Sequence, residues 1–438
     1  MLRRVNSVTM MLILLVSCTR FDDAEITERR SFVHFYSSAT DYLGKVAELD
    51  RDGGYILGGE VRKDNGVTDA LIIKTDSRGQ KIWEKVIPKS VVNSIKPWVN
   101  GYIMAGDSIQ SNPSSAQVYE LVNSYARLML INPDGDMVAQ HTFSGTVRTR
   151  QNNEDVILNI DYHGHAVSLD QAGNIIMLGS FRVPGQNETS FISAYDPGNI
   201  SDSAWLMTYG SLEHDYINTH NVHVTNSSTI AWASAMHTPQ QGVSRDFVSI
   251  PHVGPNSAPI NHSLYGEKDS RNHSVEDMQP SPVGYCAIGT YSETSGLNAN
   301  MYFLRIDRNL NVIPGSVRYI DGQELLLNNR VFTYGERTSS TSFDEGLAIT
   351  ATDDGFVLAG SLTSTPTVGN GGKDILLVKL DASGNLLWKR NIGGTGDEVV
   401  SSIRETPDKG LLLFGTNTIN GLSSMMLIKT DQNGEIID

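Results

Sequence analysis

Asp354-Gly355-Phe356-Val357-Leu358-Ala359-Gly360, then Asp374-Ile375-Leu376-Leu377-Val378-Lys379-Leu380-Asp381, then Gly384 and Trp388: this order of turn residues and apolar runs decides the fold, because it recurs. An earlier copy reads Asp52-Gly53-Gly54-Tyr55-Ile56-Leu57-Gly58-Gly59, then Asp69-Ala70-Leu71-Ile72-Ile73-Lys74-Thr75-Asp76, then Gly79 and Trp83. A later one reads Lys409-Gly410-Leu411-Leu412-Leu413-Phe414-Gly415, then Met425-Met426-Leu427-Ile428-Lys429-Thr430-Asp431, then Gly434. Weaker copies of the first element start at Gly101, Gly173, Ser228 and Gly284, which makes seven in all. Between Gly54, Gly101, Gly173, Ser228, Gly284, Gly355 and Gly410 the intervals are 47, 72, 55, 56, 71 and 55 residues, one unit plus loops of varying length.

Each unit reads as four short strands. An inner strand such as Lys45-Val46-Ala47-Glu48-Leu49 precedes the Asp-Gly turn, the Gly-apolar run is the second strand, and the run ending in Lys-x-Asp is the third. Continuous apolar runs suit strands covered on both faces. Asp-x-x-Gly at 76 and 79, 381 and 384, and 431 and 434 predicts a tight hairpin turn, with Asp bonding the local backbone and Gly supplying a positive φ. The fourth strand carries Trp83 or Trp388. Helices are excluded because the runs are short and bounded by glycine. After Gly434 only four residues remain, too few for an outer strand, whereas Ser31-Phe32-Val33-His34-Phe35 precedes the first inner strand. Phe32 stands before Asp41 as Trp388 stands before Asp397, so residues 31–36 are predicted to pair with the strand near Met425–Asp431 and close a ring. The expectation is an all-β fold: a single β-propeller of seven four-stranded blades over residues 31–438. Blades two to five have drifted, and a count of six or eight is the alternative.

The repeat resembles that of bacterial propeller proteins common among Bacteroidetes lipoproteins, with Asp-Gly-Gly-Tyr/Phe-Ile/Val-Leu-Ala/Gly-Gly, then Asp-Ala-Leu-Ile-Lys-Thr-Asp, then Gly-x-x-x-Trp. The resemblance spans residues 31–438 and is specific in blades one, six and seven. It implies a fold and an exported setting, not one activity.

The N-terminus agrees with that setting. Arg3 and Arg4 precede the apolar run Val8–Val16, which is too short to span a bilayer, and Leu15-Val16-Ser17-Cys18 resembles the bacterial lipobox. The resemblance implies a signal peptide over 1–17, a lipidated Cys18 and a tether over 18–30. Thr19 in place of Asp favours the outer membrane by the rule for Gram-negative lipoproteins. Arg20-Phe21-Asp22-Asp23 resembles a Bacteroidetes cell-surface signal, although a solvated tether has the same composition.

The formal charge is −15, and without residues 1–17 it is −17, since Arg3 and Arg4 are lost and no acid. A nucleic-acid partner would require a basic stripe, so that class is excluded. The two cysteines, Cys18 and Cys286, give no disulfide framework, and Cys286 inside an apolar strand reads as a small core residue.

Insertions fall at about Asp107–Ala126, Ser144–Asp161 and Pro314–Glu345, all on one predicted face, while the turns of the other face are short. Long loops on a rigid scaffold are where binding concentrates. Asp41, Asp215, Asp344 and Asp397 precede inner strands and can ring a channel mouth, holding a cation or sugar hydroxyls; an Asp beside Gly394 and Gly396 more commonly bonds its own turn. The one histidine concentration is His163, His165, His214, His220 and His223. His220 and His223 lack the Glu and helical setting of a metalloprotease pair, and hydrogen-bonded or exposed histidines are the plainer reading. There is no Gly-x-Ser-x-Gly elbow, P-loop or Cys-x-x-Cys. No catalytic residue, metal or cofactor is therefore assigned. The expected function is that of an envelope lipoprotein binding a glycan or another protein through the elaborated face. The alternative is a polysaccharide hydrolase or lyase with acids from different blades.

Overall fold

The computed structural model describes residues 31–437, apart from 64–65, 111–122, 152–153, 211–214, 226–228, 241–242, 254–258, 266–270, 294–298, 314–318, 321–322, 325–343 and 366–367. It is a seven-bladed propeller of antiparallel, four-stranded blades with no helix among the described residues. Inner strands run at Asp41–Leu49, Ser90–Trp98, Asp161–Leu169, Asp215–Val224, Asp344–Thr352 and Asp397–Glu405 in blades one to four, six and seven. In blade five the inner strand is split into Arg271–His273 and Asp277–Ser281, and the described part of the outer strand is a bridge from Val312 to Ile306.

Closure follows the sequence expectation. Phe32–Tyr36 pairs with the third strand of blade seven, from Phe32 opposite Lys429 to Tyr36 opposite Met425. The Ser31 hydroxyl accepts the Ile437 N–H at 2.7 Å, tying both ends of the described chain together.

Seven buried apolar clusters, one at each blade interface, form the core. Neighbouring residues of one strand serve different clusters: Ile56 packs toward blade two and Leu57 toward blade seven. Period-two alternation with both faces covered is why these strands read as unbroken apolar runs.

Two local devices explain the repeat motif. Lys74, Lys379 and Lys429, each nearly buried, reach back to the acids of the first turn, at 2.6 Å from Asp50 and 2.7 Å from Asp52, 2.5 Å from Asp354, and 2.7 Å from Asp408. Next, Asp76, Asp381 and Asp431 each accept two backbone N–H groups across the third-to-fourth turn at 2.8–2.9 Å. The glycines that follow, Gly79, Gly384 and Gly434, have φ of 75°, 86° and 73°. A Cβ on Gly434 would lie 2.8 Å from the Trp388 ring, one on Gly135 2.9 Å from Trp83, and one on Gly79 2.7 Å from Phe32. The outer-strand aromatic of each of these blades thus covers the turn of the next, and Phe32 does so across the seam.

Candidate functional site

The tight turns lie on one face, where among the described residues only the 196–204 connection of blade three is long, and the hairpin elaborations lie on the other. Insertions are narrower than the sequence suggested, because strands extend into them: Asp107 pairs with Ala126 and Gln110 with Asn123, leaving 111–122 outside the described residues. Blades four and six send up long second-to-third hairpins, Ile230–Gln240 with Val243–Val253 and Gly355–Thr365 with Val368–Asp381. The segment before blade three is a hairpin of Thr146–Gln151 and Glu154–Asn159. Of 314–343, only the short pair Tyr319–Ile320 and Gln323–Glu324 is described.

The four aspartates do not act alike. Asp41, Asp215 and Asp397 open their inner strands, and each accepts a backbone N–H from the third strand of the preceding blade: Ser423 at 2.8 Å, Glu188 at 2.6 Å and Lys373 at 2.8 Å. They clasp the neighbouring blade rather than their own turn. Asp344 is one residue out of register. Gly346 pairs with Gly360 as Gly44 pairs with Gly59, so Asp344 stands where Tyr42 stands in blade one. A one-residue shift turns the side chain to the other face. Asp344 is fully buried with neither oxygen hydrogen-bonded, and burial pushes its carboxyl up to about 6, partly offset by the nearby Thr363 backbone. The spacing carries this signal, as Asp41 precedes its glycine by three residues and Asp344 by two.

The histidines separate. His163 Nδ1 is 3.4 Å from Asp107 Oδ2, a contact that raises its pKa, and His165 Nε2 is 2.8 Å from Ser180 Oγ. His223 contacts the Met278 carbonyl at 2.5 Å, and burial pushes it down to about 4, leaving it neutral. His214 lies outside the described residues, as do the side chain of His220 and the lipidation candidate Cys18. Among the described residues no group of three or more His, Cys, Asp or Glu side chains is arranged to hold a metal ion. Cys286 is fully buried and its thiol is raised by burial.

The structure brings together a different set. Glu48, Lys96, Ser168, His223, Gln279, Thr350 and Arg404 occupy equivalent positions in the seven inner strands. Glu48 lies 2.5 Å from Lys96 Nζ and 2.7 Å from Arg404 Nη2, so one carboxylate joins blades seven, one and two. Burial alone would raise this acid; the adjacent Arg404 and Lys96 charges overcome that and hold it down at about 2. Two residues earlier in the repeat, Ser94, Asp277 and Ser402 accept the inner-strand N–H of the next blade, from Val167, Ile349 and Ala47 at 3.0–3.3 Å. Beside Asp277, Glu276 is raised by burial, with Glu345 and Asp277 as like-charged neighbours.

On the elaborated side, between blades two and three, a cleft of about 340 Å³ opens among His141, Phe143, Tyr162, Phe181, Phe191 and Leu206, with Thr142, Ser144 and Thr208 also lining it. It stands at the foot of the 146–159 hairpin, where the Ile160 N–H bonds the Gly145 carbonyl at 3.0 Å.

No protein-family model matches the chain. No curated protein sequence matches it either. Among solved structures it is similar to Trypanosoma rangeli sialidase in complex with the inhibitor DANA, with a TM-score of 0.41 and 9% identity over 89% of this chain and 55% of that one. Drosophila Plexin A in complex with Semaphorin 1b gives 0.44 and 8%, over 91% and 86%. A subtype N10 neuraminidase-like protein of A/little yellow-shouldered bat/Guatemala/060/2010 gives 0.40 and 8%, over 91% and 100%. The chain spans about half the length of the sialidase. These likenesses carry nothing about activity, and the class defined by the chain's own geometry is that of a seven-bladed propeller.

Proposed function

We propose that this chain is a cell-envelope lipoprotein, anchored in the outer membrane through Cys18 and exposed at the cell surface, whose propeller is a non-catalytic binding or scaffold module for a glycan or an envelope protein. The supporting observation is the contrast between the faces: among the described residues one carries tight turns apart from the nine-residue 196–204 connection of blade three, whereas the other carries the long hairpins of blades two, four and six and the 146–159 hairpin. A ring stitched blade to blade fixes the places from which such hairpins rise, which lowers the ordering cost of binding. The anchor follows from the lipobox resemblance, and at about 0.8 kcal/mol per buried methylene two acyl chains suffice for stable attachment.

Two experiments test this. Cys18→Ala should abolish uptake of labelled fatty acid and release the protein from membranes; a wild type that takes up no label overturns the anchor. Replacing residues 146–159 by a short turn, or shortening the 230–253 hairpin, should weaken ligand binding. Charge changes at Ser77–Gln80 or Ala382–Asn385, sparing the glycines, should leave it intact. The opposite pattern puts the binding surface on the other face.

The second reading, a hydrolase or lyase with acids from different blades, has one observation in its favour: the raised carboxyl of Glu276 near Glu345 of the next blade. Polysaccharide cleavage that disappears in Glu276→Gln would replace the first reading with this one.

A further inference from the structure

We propose that the cleft between blades two and three binds an uncharged pyranose unit of a glycan. The inference rests on the binding reading above and narrows it to one site and one ligand chemistry.

The floor is apolar and firm. Phe143 and Phe191 are nearly buried, with ring centroids 4.8 Å apart. Half-buried Tyr162 and Phe181 stand as a wall, tilted 32° to each other with centroids 5.8 Å apart, and His141 meets Phe143 edge-on at 4.8 Å. Leu206, half exposed on the outer strand of blade three, forms one lip. Around these rings stand the exposed hydroxyl side chains of Thr142, Ser144 and Thr208. An aromatic face opposite apolar C–H groups, with hydroxyls at the border, complements a sugar ring, which has an apolar face and a polar rim.

Charge and size narrow the ligand further. No acid, lysine or arginine lines the cleft, and burial pushes His141 below its ordinary value, so the site is neutral at pH 7. A uronic acid or a phosphate would meet no counter-charge there, on a chain whose formal charge is −15. The volume is at the low end of the range for small-molecule sites, roughly 300–1,000 Å³, which suits one or two sugar rings and not an extended acyl chain.

The local backbone accommodates the site. A Cβ at position 145 would lie 2.9 Å from the Tyr162 hydroxyl, so Gly145 leaves that phenol its room. Burial raises the Tyr162 phenol above its ordinary value, so the hydroxyl is protonated and can donate at pH 7. The chain departs from the cleft at Ser144 directly into the 146–159 hairpin.

The test titrates the full chain in detergent with neutral oligosaccharides of glucose, mannose, galactose and xylose, and with oligogalacturonate for comparison. Ser144→Trp fills the mouth from an exposed position, and Tyr162→Phe removes only the hydroxyl. Expected results are saturable binding of at least one neutral sugar and weaker binding of oligogalacturonate. Ser144→Trp should lower affinity by about tenfold or more, Tyr162→Phe should lower it severalfold, and thermal melting should be unchanged in both. Absence of binding by every neutral sugar overturns the proposal, as does binding indifferent to Ser144→Trp or an apolar peptide that binds in their place. Amide-exchange protection separates the two readings. Protection by the bound sugar confined to the 101–131 or 230–253 hairpins overturns the cleft and keeps the face, whereas protection confined to the tight turns overturns both.

Discussion

Blades one, six and seven hold Lys74, Lys379 and Lys429 against the acids of their own first turns, while at the same register blades two to five carry Leu130, Ala194, His252 and Arg305. Arg305 reaches instead to the next blade, donating to the Ala382 carbonyl at 2.6 Å and lying 5.3 Å over the Phe356 ring of blade six. The blade therefore does not depend on the lysine clasp. What every sector shares is an apolar layer at each interface. The regular sector contains the seam, which lies within blade seven, where Phe32–Tyr36 is held to Met425–Lys429 by backbone hydrogen bonds and not by chain continuity. There the N-terminal strand, Phe32 over Gly79 and the Glu48 ion cluster all converge. The drifted sector lies away from the seam and carries the aromatic cleft and three of the four elaborated hairpins.

If the seam is where the ring is most vulnerable, deleting Ser31–Tyr36 should have the largest effect. It strips the ladder from Met425–Lys429 and leaves an open apolar edge. Circular-dichroism melting should show loss of the cooperative native state, or a midpoint lower by ten degrees or more; excising the 146–159 hairpin should shift it far less. Equal shifts break the comparison.

Next in size is Glu48→Gln, which takes from Arg404 and Lys96 the carboxylate that both contact, leaving Arg404 only the weaker influence of Asp277, and should cost about 3–5 kcal/mol by urea unfolding. The wild-type contribution has a defined pH window. Because the folded carboxyl sits at about 2, below its ordinary 4.5, its stabilisation is complete above pH 4.5 and is lost as pH falls toward 2. The variant should lack that acid limb. His223, held near 4 against an ordinary 6.5, adds a loss of stability as pH falls from 6.5 to 4, and that loss should survive in Glu48→Gln.

Asp344→Asn should act in the opposite direction. A folded pKa of about 6 above an ordinary 3.8 means that the acid destabilises the fold as pH rises from 4 to 6. The amide should therefore raise stability at pH 7, by up to ~3 kcal/mol, and make no difference below pH 4. A variant less stable at pH 7 would show an unrecognised partner for this carboxylate.

The smallest effect is expected for Lys379→Leu. Asp354 is largely exposed and can hydrate when its partner is gone, and leucine already occupies the equivalent place in blade two. The change in unfolding free energy should stay within about 1 kcal/mol. A larger loss would make the clasp essential to the regular blades and sharpen the contrast with the drifted ones.

The structure decided the count of seven blades among six, seven and eight, whereas the sequence, read alone, determined the repeat, the short turns and the closing strand. Each is written in local chemistry: an Asp that accepts amides two and four residues ahead, a Gly that takes a positive φ, an apolar run of strand length. Only the tertiary structure decided which residues meet. Glu48 and Arg404 are 356 positions apart and share no motif, and they pair because the ring returns the last inner strand beside the first. Asp344 resembled Asp41 in composition, yet a single residue of register places it in the core, since side chains alternate between the two faces of a strand. The aromatic cleft was illegible for the same reason: its walls come from the outer strand of one blade and all four strands of the next, and nothing in their separate spacings encodes that they face one another.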